Sequence, residues 1–109
     1  MPNYSKNDVV LVPYPFSDRS GSKVRPAMVI GGLHPSQDLF VAPLTSKTER
    51  LLPGEFVLSD WSAAGLNVPT AFKRALYTAR QSSITKFVGR LASSDAEKVR
   101  ASLLAWLEL

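Results

Sequence analysis

Asp8-Val9-Val10-Leu11-Val12-Pro13-Tyr14-Pro15-Phe16 begins as a β-branched run and ends on two prolines. The valines suit a pleated, buried surface, while Pro13 and Pro15 lack the amide donors that an interior strand needs. The strand should therefore end, or become an edge, near Tyr14. Polar residues 17–23 (SDRSGSK) form a turn, and Arg25-Pro26 opens a second apolar run over 27–30 that Gly31-Gly32 stops. Together these segments predict a hairpin with a long loop. Working outward, residues 39–45 (LFVAPLT) predict a third strand whose polar end, Thr45-Ser46-Lys47, leaves the core, and residues 55–58 a fourth, short one. Asp60-Trp61-Ser62-Ala63-Ala64-Gly65 reads as one helical turn, capped by Asp60 and ended by Gly65. Strand-like runs follow around 71–78 and 87–91.

The clearest helix comes last. Ser94-Asp95-Ala96-Glu97 has capping-box order, and apolar residues then recur at Val99, Leu103, Trp106 and Leu107. Short strands with Pro/Gly turns and one terminal amphipathic helix predict a mainly β fold, an SH3-like barrel of short antiparallel strands with a C-terminal α-helix. At 109 residues and 45% hydrophobic composition there is material for one core and not for two, so residues 1–109 are expected to form a single domain.

Composition removes several classes of chemistry. Without cysteine there is no disulfide framework, thiolate zinc site or thiol nucleophile. The single histidine, His34, excludes multi-histidine metal centres, and it stands in a Gly-Gly-Leu-His-Pro turn that suits a surface residue better than a Ser-His-Asp relay. The glycines lead into neither a GK[ST] nor a GxGxxG pattern, so no nucleotide cofactor is implied. No apolar run approaches the ~20 residues of a membrane span, and the N-terminus lacks signal-peptide layout. These features predict a cytoplasmic protein.

The net charge is +4, and no acidic residue occurs between Asp60 and Asp95 although Lys73, Arg74, Arg80, Lys86 and Arg90 do. That stretch is either a polyanion-binding surface or a set of solvated strand faces. Arg25, Thr45 and Ser46 fall with these basic residues at or near predicted strand ends. A guanidinium offers a planar fork matched to phosphate oxygens. On the residues alone, Arg25 is either a phosphate clamp or an ordinary surface charge, and the hydroxyls of Thr45 and Ser46 either contact a ligand or satisfy local backbone groups.

These same residues carry a resemblance. Residues 8–16 followed by Arg25-Pro26-Ala27-Met28-Val29-Ile30 resemble the opening of the MazF/PemK family of toxin endoribonucleases. Val41-Ala42-Pro43-Leu44-Thr45-Ser46 is similar to that family's third-strand motif. Leu58-Ser59-Asp60-Trp61, Ala64-Gly65-Leu66 and Pro69-Thr70 resemble its PemK-like branch, and Gly89-Arg90-Leu91 fits as well. The similarity spans nearly the whole chain in the expected order. It implies an SH3-like barrel that dimerises, cleaves single-stranded RNA at short motifs as an mRNA interferase, and is inhibited by a cognate antitoxin, with DNA reached only through the antitoxin complex. It implies no metal: the neighbouring 2′-hydroxyl attacks the phosphodiester, leaving a cyclic phosphate and a 5′-hydroxyl. By the same resemblance Arg25 and Thr45 are the catalytic pair, and Lys23, Ser46, Lys73 and Asp18 contact RNA. Loop 17–23 would border RNA and antitoxin as a lid, with Tyr14 and Phe16 as stacking platforms or core residues.

The chain departs from some members of the family at two points. Where they carry a histidine or acidic residue in the first hairpin loop and Arg-x-Asp on the later strand, this sequence reads Ser17 to Lys23 and Lys73-Arg74-Ala75, and without that aspartate the general base is unassigned. Two other functions are therefore expected to compete: a non-cleaving relative acting in an antitoxin-bound repressor, and a CcdB-like gyrase poison using Trp106. The helical spacing of Trp106 favours core packing instead.

Overall fold

The computed structural model describes residues 4–13, 24–32 and 35–109. Its strands are β1 (Asp8–Pro13), β2 (Val24–Gly31), β3 (Asp38–Thr45), β4 (Phe56–Val57), β5 (Ala71–Phe72), β6 (Tyr77–Arg80) and β7 (Lys86–Arg90), followed by the helix α1 (Ser93–Leu107). They form one curled antiparallel sheet in the order β4-β5-β3-β2-β1-β7, with β6 also on β3. The expected SH3-like architecture is thus present, a half-barrel closed on one side by the C-terminal helix.

Where composition predicts one core, alternation along β1, β2 and β3 divides the buried apolar residues into two clusters, one on each face of the sheet, as period-2 side chains require. Val9, Met28, Ala42, Leu44 and Phe72 point to the α1 side, where Ala96, Val99, Leu103 and Trp106 meet them. Val10, Val12, Ala27, Val29 and Val41 point to the other side, toward Tyr4, Tyr77 and Ile84. Trp106 stacks on Phe72, with ring centroids 5.5 Å apart and planes 16° from parallel, and Arg74 lies 5.6 Å over the indole. Trp106 is therefore a half-buried packing residue. Leu107, expected on the apolar face, is 47% exposed because the helix ends there.

The run over 71–78 is two strands with a break between them. In β3 the Pro43 carbonyl accepts from the Lys73 amide at 3.3 Å, but an N–H directed the same way does not exist on proline, so the ladder cannot continue. On one side of Pro43, Val41 pairs with Tyr77; on the other, Leu44 pairs with Phe72.

The helix start also differs from expectation. α1 begins at Ser93, and its N-cap, Ala92, makes no side-chain bond. The fully buried Asp95 instead accepts from Ser59 N (2.8 Å), Ser59 Oγ (2.6 Å) and Asp60 N (3.0 Å). These charge-assisted bonds tie the first turn of α1 to the 59–60 segment. Burial pushes the Asp95 carboxyl up, but the bonds from Ser59 and Asp60, with the Lys98 charge, hold it below the ordinary aspartate value.

Asp95 thereby fixes the 60–65 turn, in which the Ala63 amide donates to Asp60 Oδ1 at 3.3 Å. Gly65 ends that turn with φ +88°, and a β-carbon there would meet the Val88 carbonyl; one on Gly89 would meet the Ala64 carbonyl. The two glycines let the turn lie directly against β7. Beside them, Arg90 donates to Asp8 Oδ1 at 2.7 Å and Leu91 N to Asn7 O at 2.9 Å. No helix among the described residues is long and apolar enough to cross a membrane, and these residues contain no cluster of metal-ligating side chains.

Candidate active site

Antiparallel register directs Arg25 toward Thr45. Ala27 pairs with Pro43 and Met28 with Ala42, and that register, extended two residues beyond its last pair, points Arg25 toward Thr45. Directly opposed residues project from the same face. That face is the one away from α1, since Arg25 alternates in phase with Ala27 and Val29, and Thr45 with Val41. The row continues outward to Val12, paired with Arg25, and to Ala71, paired with Thr45. Both flanking residues are fully buried. A cation and an alcohol therefore share an otherwise apolar row.

Thr45 is half-buried and Arg25 exposed. The Thr45 Oγ1 accepts from the Lys47 amide at 3.1 Å, a hydroxyl-to-backbone turn that sets the rotamer and leaves the O–H proton without an acceptor among the described residues. Arg25 likewise has no hydrogen-bond or ion-pair partner among those residues. A fork of donors and a hydroxyl donor that both lack partners among the described residues can together bind and polarise an oxyanion. Ser46 follows Thr45 as an exposed residue at the strand end. Asp18, Lys23, Tyr14, Phe16, His34 and the 17–23 loop lie outside the described residues.

Lys73 projects from the same face, one row further along the sheet. Its ammonium is 2.9 Å from Glu55 Oε1, and the Glu55 side chain is only 2% exposed. Leu52 N (2.7 Å) donates to the same oxygen and Arg74 N (2.8 Å) to Oε2. Burial pushes the Glu55 carboxyl up, but the Leu52 and Arg74 amides and Lys73 more than offset it, leaving the group below the ordinary glutamate value. It is a poor proton acceptor. The carboxylate beside Lys73, just past β5, is thus supplied by Glu55, just before β4, and the Ala75 amide donates to Lys73 O at 3.0 Å. Nothing local in the sequence marks Glu55 for this role, because its partners lie up to 19 residues away.

In the rest of the basic stretch Arg74 covers Trp106 and Arg90 binds Asp8, while Arg80 and Lys86 are exposed. The solvated-face reading therefore describes much of the 73–90 segment, and the uncommitted charge at the site comes from β2.

The structure is thus an antiparallel half-barrel backed by one helix, with an arginine and a threonine near the ends of adjacent strands. Over residues 5–107 the chain matches the family described as PemK-like, MazF-like toxin of type II toxin-antitoxin system, and it belongs to that family. Its fold is similar to that of an endoribonuclease in complex with its cognate antitoxin from a mycobacterial species, at TM-score 0.75 and 13% identity over 97% of this chain and 96% of that one. MazF from Deinococcus radiodurans gives TM-score 0.73 at 18% identity, covering 97% of each chain. A MazE-MazF structure from the same organism gives 0.72 at 16% identity, again covering 97% of each. No curated protein matches the sequence.

Proposed function

We propose that this chain is a toxin endoribonuclease that cleaves single-stranded RNA without a metal, at short sequence motifs, as a cytoplasmic homodimer inhibited by a cognate antitoxin. What supports this reading is the β2–β3 register, which, extended two residues, directs Arg25 toward Thr45 on the face away from α1. Such a pair suits a reaction in which the substrate brings its own nucleophile. The 2′-oxygen attacks the adjacent phosphorus and loses its proton, and the P–O5′ bond breaks. The leaving oxygen takes up a proton, giving a 2′,3′-cyclic phosphate and a 5′-hydroxyl. Charge builds on the non-bridging oxygens in between, where the Arg25 fork and the Thr45 hydroxyl supply donors fixed in advance. Holding the linkage in line adds the entropic part of the acceleration. DNA, lacking the 2′-hydroxyl, cannot follow this route.

Dimerisation and antitoxin control rest on family membership, supported by similar folds solved with an antitoxin bound. The test is cleavage of a long single-stranded transcript in chelator, with end analysis. Wild type should give cyclic-phosphate ends. Arg25→Ala should lower the rate ~100- to 1000-fold, the usual effect of removing one preorganised donor. An undiminished rate in a folded Arg25→Ala protein would refute the assignment.

A further inference from the structure

The described basic residues divide by what they already touch. Lys73, Arg74, Arg90 and Lys98 are each committed to a carboxylate or an aromatic ring. Lys47 is not. It stands two residues beyond Thr45, exposed, with no ion pair to the nearby Glu49 or to any other described acid. Its backbone is nonetheless fixed to the site, because its amide donates to Thr45 Oγ1 at 3.1 Å. Arg50, further along the same segment and also exposed, has no such tie.

Resting on the endoribonuclease reading, we propose that Lys47, and not Lys73, is the lysine that binds the substrate backbone beside the scissile linkage. The turn that sets the Thr45 hydroxyl also sets where the Lys47 stem begins. Arg25 is directed toward the alcohol from across the sheet and Lys47 starts two residues along the chain from it, so both cations begin near one hydroxyl. An ammonium on a flexible stem acts as a point charge for an adjacent phosphate, while the guanidinium fork serves the reacting one. Lys73 is held by Glu55, which cancels its charge locally and leaves it to anchor the 52–55 segment to β5.

The test is the salt dependence of binding to a mixed-sequence oligoribonucleotide carrying 2′-O-methyl at every position, which cannot be cleaved. Removing one cation that neutralises a phosphate of a single strand flattens the plot of log affinity against log salt by about 0.7. Lys47→Ala should flatten it by that amount, Lys47→Arg should restore the slope, and Arg100→Ala, on the outer side of α1, should leave it unchanged. Lys73→Ala should keep the wild-type slope while lowering the melting temperature. A wild-type slope in Lys47→Ala, or equal flattening in Lys73→Ala, overturns the proposal alone. Failure of the wild type to bind or cleave RNA overturns the functional reading and this inference with it.

Discussion

Thr45→Val separates the chemical role of the threonine from its structural one. Valine keeps the branched shape and the strand preference, so only the oxygen is removed. Structurally that oxygen accepts a single bond, from the Lys47 amide at 3.1 Å, and Lys47 is exposed, so water can take its place. The expected cost is about 0.5–1 kcal/mol, the net worth of one ordinary hydrogen bond. For a domain of this size that lowers the melting temperature by roughly 2–8 °C. The chemical cost is larger. Losing a donor aimed at developing negative charge corresponds to about 2.7–4 kcal/mol, or a rate lower by ~100- to 1000-fold. Single-turnover cleavage of a long transcript, run beside a thermal melt of the same preparation, measures both quantities. Thr45→Ser keeps the hydroxyl and should stay near the wild-type rate. The reasoning fails if Thr45→Val cleaves within a few-fold of wild type, since the alcohol would then stabilise nothing in the transition state. It fails equally if the valine protein melts far lower than one missing surface bond allows.

Other perturbations test the scaffold. Asp95→Ala should cost about 2–5 kcal/mol in a urea melt, because the Ser59 and Asp60 donors lose a charged acceptor. The depressed Asp95 carboxyl contributes stability that is fully present above the ordinary aspartate value and is lost as pH falls through that value toward the folded one. Wild type should lose stability over that acid window more steeply than Asp95→Asn, and equal acid slopes would contradict the assignment. Gly89→Ala should destabilise by about 1–3 kcal/mol, because its new methyl meets the Ala64 carbonyl, whereas Gly31→Ala, with nothing near its β-position, should be tolerated. Similar melting temperatures for the two alanine variants would show that β7 and the 60–65 turn do not touch.

Much of this architecture is legible in the sequence because it is written in local patterns. The valines of β1, the apolar run of β2, the strand ending at Thr45 and the spacing of α1 each declare themselves over several residues. Arg25 and Thr45 stand at the ends of two of those runs, but the family resemblance, and not the residues alone, is what singles them out. What escapes sequence reading depends on partners far along the chain. The break between β5 and β6 comes from a missing amide on Pro43, about thirty residues before it. Asp95 looks like part of a capping box until Ser59, 36 residues earlier, is placed beside it. Lys73 looks like an available cation until Glu55, in the segment leading into β4, is placed beside it. The Gly65 and Gly89 motifs are visible as letters, but their purpose, two backbones lying against each other, exists only in three dimensions.

Register connects the core to the chemistry. Along β3 successive residues alternate between the α1 side and the open side, so Leu44 packs in the core while Thr45 faces away from the helix. A slip of one residue would turn the threonine toward α1 and expose the leucine. The pairing of Met28 with Ala42 and of Leu44 with Phe72 opposes such a slip, because both pairs are buried in the helix-side core. The side chains beneath the sheet therefore decide that Arg25 and Thr45 emerge together above it. Loosening that core should harm cleavage through misplacement before it unfolds the domain, because a displacement of about 1 Å is enough to cost ~100-fold when the reacting groups must be held in line.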